Sequence, residues 1–120
     1  MSSPVDLVQR YMDGFRRSDH QVVLECLTDD VVWVIHGVRT THGKAEFDLE
    51  IENPGFRGSP ELAVDSTVVG TLDGADAVVT TGIGKGALWD GGTFTFAFST
   101  HFTLRDGLIA RVESFVVPLT

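Results

Sequence analysis

With 120 residues, 42% hydrophobic and 22% charged, the chain has the size and balance of one folded domain, which excludes a disordered segment. A formal net charge of −8, with nine scattered Lys and Arg residues, argues against a nucleic-acid or anionic-membrane surface. Cys26 stands alone, so an intrachain disulfide is excluded; with no signal-peptide pattern and no long apolar run, the chain reads as cytoplasmic.

The first element is a helix that starts at Ser3-Pro4-Val5-Asp6, with Ser3 as N-cap and an acid in the first turn. Leu7, Val8, Tyr11, Met12 and Phe15 then give it one apolar face, and Arg16 and Arg17 suit its C-terminal dipole. Asp19 caps a second, short helix with Val22, Val23, Cys26 and Leu27 on its apolar side, and Cys26 is read as a buried core thiol. Asp29-Asp30 ends that helix, and Val31 to Ile35 is a β-branched run around Trp33. A loop between Gly37 and Gly43 follows, then a third helix over 44–52, stopped by Asn53-Pro54-Gly55.

From Ser59-Pro60 onward the pattern is strand and turn. The runs are 61–70, 75–87, 93–104 and 108–117, separated by Asp73-Gly74, Asp90-Gly91-Gly92 and Asp106-Gly107. Helices first and a four-strand meander after them, with one earlier strand, indicate α+β architecture in a single domain over 1–120. In the run 93–104, Phe94, Phe96, Phe98, Thr100, Phe102 and Leu104 occupy one face, and Thr93, Thr95, Ala97, Ser99, His101 and Thr103 the other. Four phenylalanines in a row make one dry wall, of the kind that fills a core or lines a small-molecule pocket. The small polar row opposite suits a partner sheet, so a homodimer is expected. Gly82, Gly84 and Gly86 alternate on one face of their strand and leave room for close approach.

If Asp106-Gly107 form a two-residue turn, strict alternation sets Phe102 opposite Arg111, Thr100 opposite Glu113 and Phe98 opposite Phe115. Arg111, Glu113 and Phe115 then share the phenylalanine face; a three-residue loop would turn them outward. Arg111 and Glu113 are read either as a mutually satisfied ion pair at the sheet rim or as a pocket pair that orients or protonates a ligand.

Three stretches carry a family resemblance. They are Val8-Gln9-Arg10-Tyr11, the passage Leu27-Thr28-Asp29-Asp30-Val31 with Trp33 and Gly37, and the terminal run Asp106 to Phe115. Over nearly its whole length the chain resembles the nuclear transport factor 2-like superfamily, and within it the SnoaL-like polyketide cyclases and the ketosteroid isomerases. The resemblance implies a cone-shaped, cystatin-like fold: three N-terminal helices on a strongly curved, mostly antiparallel sheet that encloses a pocket. It puts Tyr11 at the place of an isomerase oxyanion-hole tyrosine. The isomerase base falls on or near Ile35, with His36 as neighbour, and the second oxyanion-hole acid falls on Thr100. One of three isomerase groups is therefore present, and efficient ketosteroid isomerisation is not expected.

The pocket is expected between the first helix and the sheet. Its walls would be Tyr11, Phe15, Trp33, Phe47, Phe98, Phe102 and Phe115, and its polar groups His36, Thr100, Arg111 and Glu113. Tyr11, His36, Arg111 and Glu113 are the candidates for catalysis, although Tyr11 reads equally as core and His36 as a structural strand-end residue. His42 is a candidate for the pocket mouth. The expected function is acid-base chemistry on an apolar, carbonyl-bearing or polyketide- or steroid-like substrate; the alternative is a non-catalytic ligand-binding or accessory module of the same fold. The spacing of the histidines offers no metal site, and neither a phosphate loop nor a dinucleotide fingerprint is present, so neither metal nor cofactor is expected.

Overall fold

The computed structural model describes residues 3–52 and 60–119; the expected stop at Asn53-Pro54-Gly55 and the start at Ser59 lie outside the described residues. Helix α1 spans Pro4–Arg16, α2 His20–Glu25 and α3 Gly43–Glu50. Strands are β1 Leu27–Ile35, β2 Arg39–His42, β3 Glu61–Leu72, β4 Ala75–Ala87, β5 Thr93–Arg105 and β6 Leu108–Pro118. They form one six-stranded sheet in the order β2-β1-β6-β5-β4-β3, antiparallel except where β1 runs parallel to β6.

Local chemistry accounts for the element ends. Ser3 and Asp6 form a reciprocal capping box, with Pro4 in the first turn of α1. Asp19 accepts from the Val22 backbone N–H and opens α2. Two differences from the sequence reading lie in this region. Strand β1 begins at Leu27, where an apolar helical stretch was expected, because Ile109 donates its N–H to the Cys26 carbonyl and draws the chain into the sheet. The expected loop 37–43 contains β2, a short edge strand whose Thr41 pairs with Trp33. Cys26 is free and buried, as expected.

The core lies on one side of the sheet, under α1 and α3. Phe102, Val112, Val78, Val31, Phe47 and Val8 are all but fully buried there. At roughly 25 cal/mol per Å² of apolar surface removed from water, each such side chain contributes about 1.5–3 kcal/mol. The glycine row of β4 belongs to this layer. A Cβ on Gly84 would sit 2.1 Å from the Phe96 ring, and one on Gly82 would sit 2.0 Å from the Ala63 carbonyl oxygen. The space the glycines leave is thus filled by Phe96, Phe98 and the neighbouring strand.

The β5–β6 hairpin turns as its sequence predicts and yet faces the other way. Asp106 and Gly107 have φ of 55° and 77°, the positive values of a type I′ turn, and Leu104 pairs with Ile109. The register then shifts: Thr103 pairs with Arg111, His101 with Glu113 and Ser99 with Phe115. Ala110 is the extra residue of a β-bulge, and one extra residue moves every later side chain to the opposite face. Val112 and Ser114 therefore face the core, while Arg111, Glu113 and Phe115 stand on the outer face. This corrects the expectation that those three share the phenylalanine wall.

Candidate functional site

Aromatic rings dominate the concave side. Tyr11 on α1 sits edge-on to Phe102 at 5.3 Å and to Phe47 at 6.2 Å. Trp33 stacks on Phe47 at 4.5 Å and meets Phe15 edge-on at 6.0 Å. Phe98 belongs to the same buried cluster. Of the expected wall residues, Tyr11, Phe15, Trp33, Phe47, Phe98 and Phe102 are thus brought together, and Phe115 is not. Burial, with Cys26 nearby, pushes the Tyr11 hydroxyl far above its ordinary pKa, so it is a neutral donor at any physiological pH.

Four hydroxyl residues cross this aromatic wall. Thr67, Thr80, Thr100 and Ser114 are successive register partners on β3, β4, β5 and β6 and share the concave face. At one end of the row Ser114 accepts a hydrogen bond from the Trp33 indole N–H at 2.9 Å. At the other end Thr67 and Thr80 line a cavity of about 340 Å³ between α1 and the β3–β4 edge. Val5, Val8, Met12 and Val64 supply its apolar lining, and Gln9, Asp13 and Arg16 its polar one. Arg16 is held in place: its guanidinium donates to the Leu62 carbonyl at 2.9 Å and to Asp13 at 3.0 Å. The Thr80 side chain is 2% exposed, and its hydroxyl has no hydrogen-bond partner among the described residues. A buried hydroxyl without a partner is costly, on the order of 1–3 kcal/mol.

This cavity lies between α1 and the sheet, and none of the residues named for the expected pocket lines it. The sequence signal for it was faint: Thr67 precedes Val68-Val69 and Thr80 follows Val78-Val79, as Thr100 stands among the phenylalanines. Only the strand register could show that they align.

The proposed proton-transfer groups gather elsewhere. The Nε2 atom of His36 lies 3.3 Å from Glu113, and Arg111 lies 3.6 Å from the same carboxylate oxygen. The His36 ring stacks on Phe115 at 4.2 Å, and His101 leans on the other side of that residue at 4.9 Å. All five sit on the outer face. His42 pairs with Val32, which pairs with Arg111, so it too belongs to the outer face and not to a pocket mouth. At the two positions where the isomerase resemblance places carboxyl groups, Ile35 and Thr100 are the concave-face residues.

The comparisons agree with this architecture. An NTF2-like protein of unknown function from Burkholderia pseudomallei superposes with a TM-score of 0.81 at 22% identity, covering 96% of this chain and 91% of the other. TerC, co-crystallised with polyporic acid, is 26% identical with a TM-score of 0.77, covering 92% of this chain and 88% of its own. An epoxide hydrolase of the LEH-like type from Mycobacterium tuberculosis shares the fold at 21% identity and a TM-score of 0.74, covering 92% and 79%. A comparison of the sequence with curated proteins finds no match. The SnoaL-like domain family matches residues 8–112, and with the cone-shaped α+β fold shared by these neighbours the chain belongs to that family, within the nuclear transport factor 2-like superfamily.

Proposed function

We propose that this domain binds a small apolar molecule carrying a hydrogen-bonding group, in the cavity between α1 and the β3–β4 edge, and that it acts as a ligand-binding module. The observation that carries this reading is the unpartnered, buried Thr80 hydroxyl of a residue that lines a cavity of about 340 Å³ with mixed polar and apolar walls. That volume falls within the ~300–1,000 Å³ of small-molecule sites. The co-crystallisation of the relative TerC with polyporic acid supports small-molecule binding in this fold. The enzymatic alternative needs a proton-transfer group beside the ligand; His36 and Glu113, the groups expected to serve, stand on the outer face, and the carboxylate that does line the cavity, Asp13, is paired with Arg16.

Two copies of the chain pair through that outer face in this reading. Its exposed apolar residues include Val68, Ile83, Phe115 and Val117. No helix among the described residues is long and apolar enough to cross a membrane. A cytoplasmic setting, expected from the sequence, completes the proposal.

The test uses two probes of the same shape, 2-naphthol and naphthalene, followed by nuclear magnetic resonance of the methyl groups. Both are expected to shift the Val5, Val8, Met12 and Val64 signals. Thr80→Val should weaken 2-naphthol roughly 5-fold, the value of one hydrogen bond, and leave naphthalene unchanged. Shifts confined to other parts of the chain, or equal effects on the two probes, would overturn the assignment.

A further inference from the structure

The outer face of the sheet differs in charge from the rest of the molecule. The chain carries a net −8. On this face, however, the charged side chains come in compensating sets: Arg111 beside Glu113, and Lys85 opposite Glu61 as register partners on β4 and β3. Between them the small polar row of β5 is flanked by exposed apolar side chains, Val68 and Val117 being 63% and 59% exposed and Ile83 and Phe115 less so. A strongly acidic chain repels its own copies least through a face whose charges compensate, and this face combines compensated charges with small polar and exposed apolar side chains. Its fitting partner is a second copy of the same chain.

The face also holds the ingredients of a switch. Phe115 is in ring contact with both His36 and His101. His101 is the register partner of Glu113, and His36 reaches the same carboxylate. His42, Thr40, Val32 and Val34 face outward from β1 and β2 beside them, and Val79 and Thr81 from β4 on the other side of β5. The charged or titratable groups facing this patch are thus Glu113, Arg111 and His42, with the Arg105–Asp30 ion pair toward the hairpin end and Lys85 and Glu61 farther along the strands.

We infer that self-association through this face is gated by pH, dimers forming when His36 and His101 are neutral and separating when both carry protons. The inference rests on the dimer reading above. At neutral charge the imidazoles present flat rings that continue the Phe115 surface. On protonation, Glu113 can compensate one new charge per copy, and it is already shared with Arg111. The surplus positive charge of each copy is then pressed against that of the other in a dry interface, where like charges are strongly unfavourable.

Sedimentation velocity at micromolar concentration and physiological salt, at about pH 8 and about pH 5.5, tests this across the range in which histidine charge changes. The expected result is a dimer at the higher pH and a dimer dissociation constant weakened at least ~10-fold at the lower, about 1.4 kcal/mol. The double variant His36→Gln, His101→Gln should remain dimeric and lose the pH response. A monomer at the higher pH overturns both the dimer reading and the gate. A dimer of unchanged affinity at both pH values overturns the gate alone. So does a pH response that persists in the double variant, since it would arise from some other group or from unfolding.

Discussion

The two faces of the β5–β6 hairpin are made from the same strands and have opposite fates. On the concave side Phe102 is fully buried beneath Tyr11, and Val112, its partner, is buried with it. One residue along, His101 and Glu113 form the matching pair on the outer side, and no element among the described residues covers them. Which residue falls on which side is set by Ala110 alone. Without that bulge Arg111 and Glu113 would be pressed into the aromatic layer, where an ion pair loses its hydration and gains little in return. The bulge keeps an uncharged Val112 and a small Ser114 inside, and the Ser114 hydroxyl satisfies the Trp33 indole. A shift of one residue thus separates a binding face from an association face.

The sharpest way to break this contrast is to overfill the concave side. Gly82→Val should destabilise the protein by about 3 kcal/mol or more, because its Cβ would meet the Ala63 carbonyl oxygen at 2.0 Å and the backbone there cannot move aside. Gly70, which lies on the outer face with no atom within 4 Å of its would-be Cβ, should accept Thr with a change within about 0.5 kcal/mol. Urea denaturation of the two variants at equal concentration compares them directly. Equal losses would mean that the concave layer is no tighter than the outer one.

Emptying the same layer gives the next largest effect. Phe102→Ala should lose about 3–5 kcal/mol, whereas His101→Ala on the other face should stay within about 1 kcal/mol at a pH where the imidazole is neutral. Thermal unfolding would reveal both. A comparable drop for His101→Ala that is the same at every protein concentration would show that the outer face contributes to the fold of the single chain.

The difference between the faces also explains what the sequence made legible. The alternation over 93–104, the turn at Asp106-Gly107 and the capped first helix are local signals, and each produced the element expected of it. The bulge at Ala110 is not local. It answers to the need to keep Arg111 and Glu113 out of a layer assembled from α1, β1 and β5, and nothing in the run Leu108 to Phe115 shows that layer. Strand β2 was hidden for a similar reason: Arg39–His42 is too short and too polar to read as a strand, and it exists because β1 offers it an edge. The cavity depends on the alignment of Thr67 with Thr80 across a second irregularity, between Val64 and Ser66, and the aromatic residues from which a pocket was expected pack on one another instead.

Thr80 tests the comparison at a single atom. Its hydroxyl is buried without a partner on the concave side. Thr81 beside it faces outward and shares a hydrogen bond with Ser66 at 2.6 Å. Thr80→Val should therefore raise stability by about 1 kcal/mol, since an unsatisfied hydroxyl is exchanged for a methyl group of the same size. Thr81→Val should be neutral or slightly destabilising. A loss of stability in Thr80→Val would mean that the hydroxyl has a partner in the folded protein, and that the cavity wall is less ready for a ligand than the geometry indicates.

The smallest effect concerns the helices that cover the concave side. His20 at the start of α2 reaches Asp48 at 2.5 Å and Glu52 at 2.9 Å, tying α2 to the end of α3. Hydrogen bonds first to Glu52 and then to Asp48 raise its pKa above the ordinary imidazole value of 6.5. A group whose folded pKa is raised adds stability when it is protonated in both states and none when it is neutral in both. The tie is therefore at full strength below the unfolded value and disappears as pH rises through the folded one. All three side chains are well exposed, so solvent screening keeps the gain small, within the range of surface ion pairs. His20→Asn should accordingly lower the melting temperature slightly in acid and leave it unchanged in mild alkali, measured on matched buffers of fixed ionic strength. A difference that grows with pH would show that the neutral ring, packed between the two helices, is what holds them, and the cover of the concave face would then owe nothing to charge.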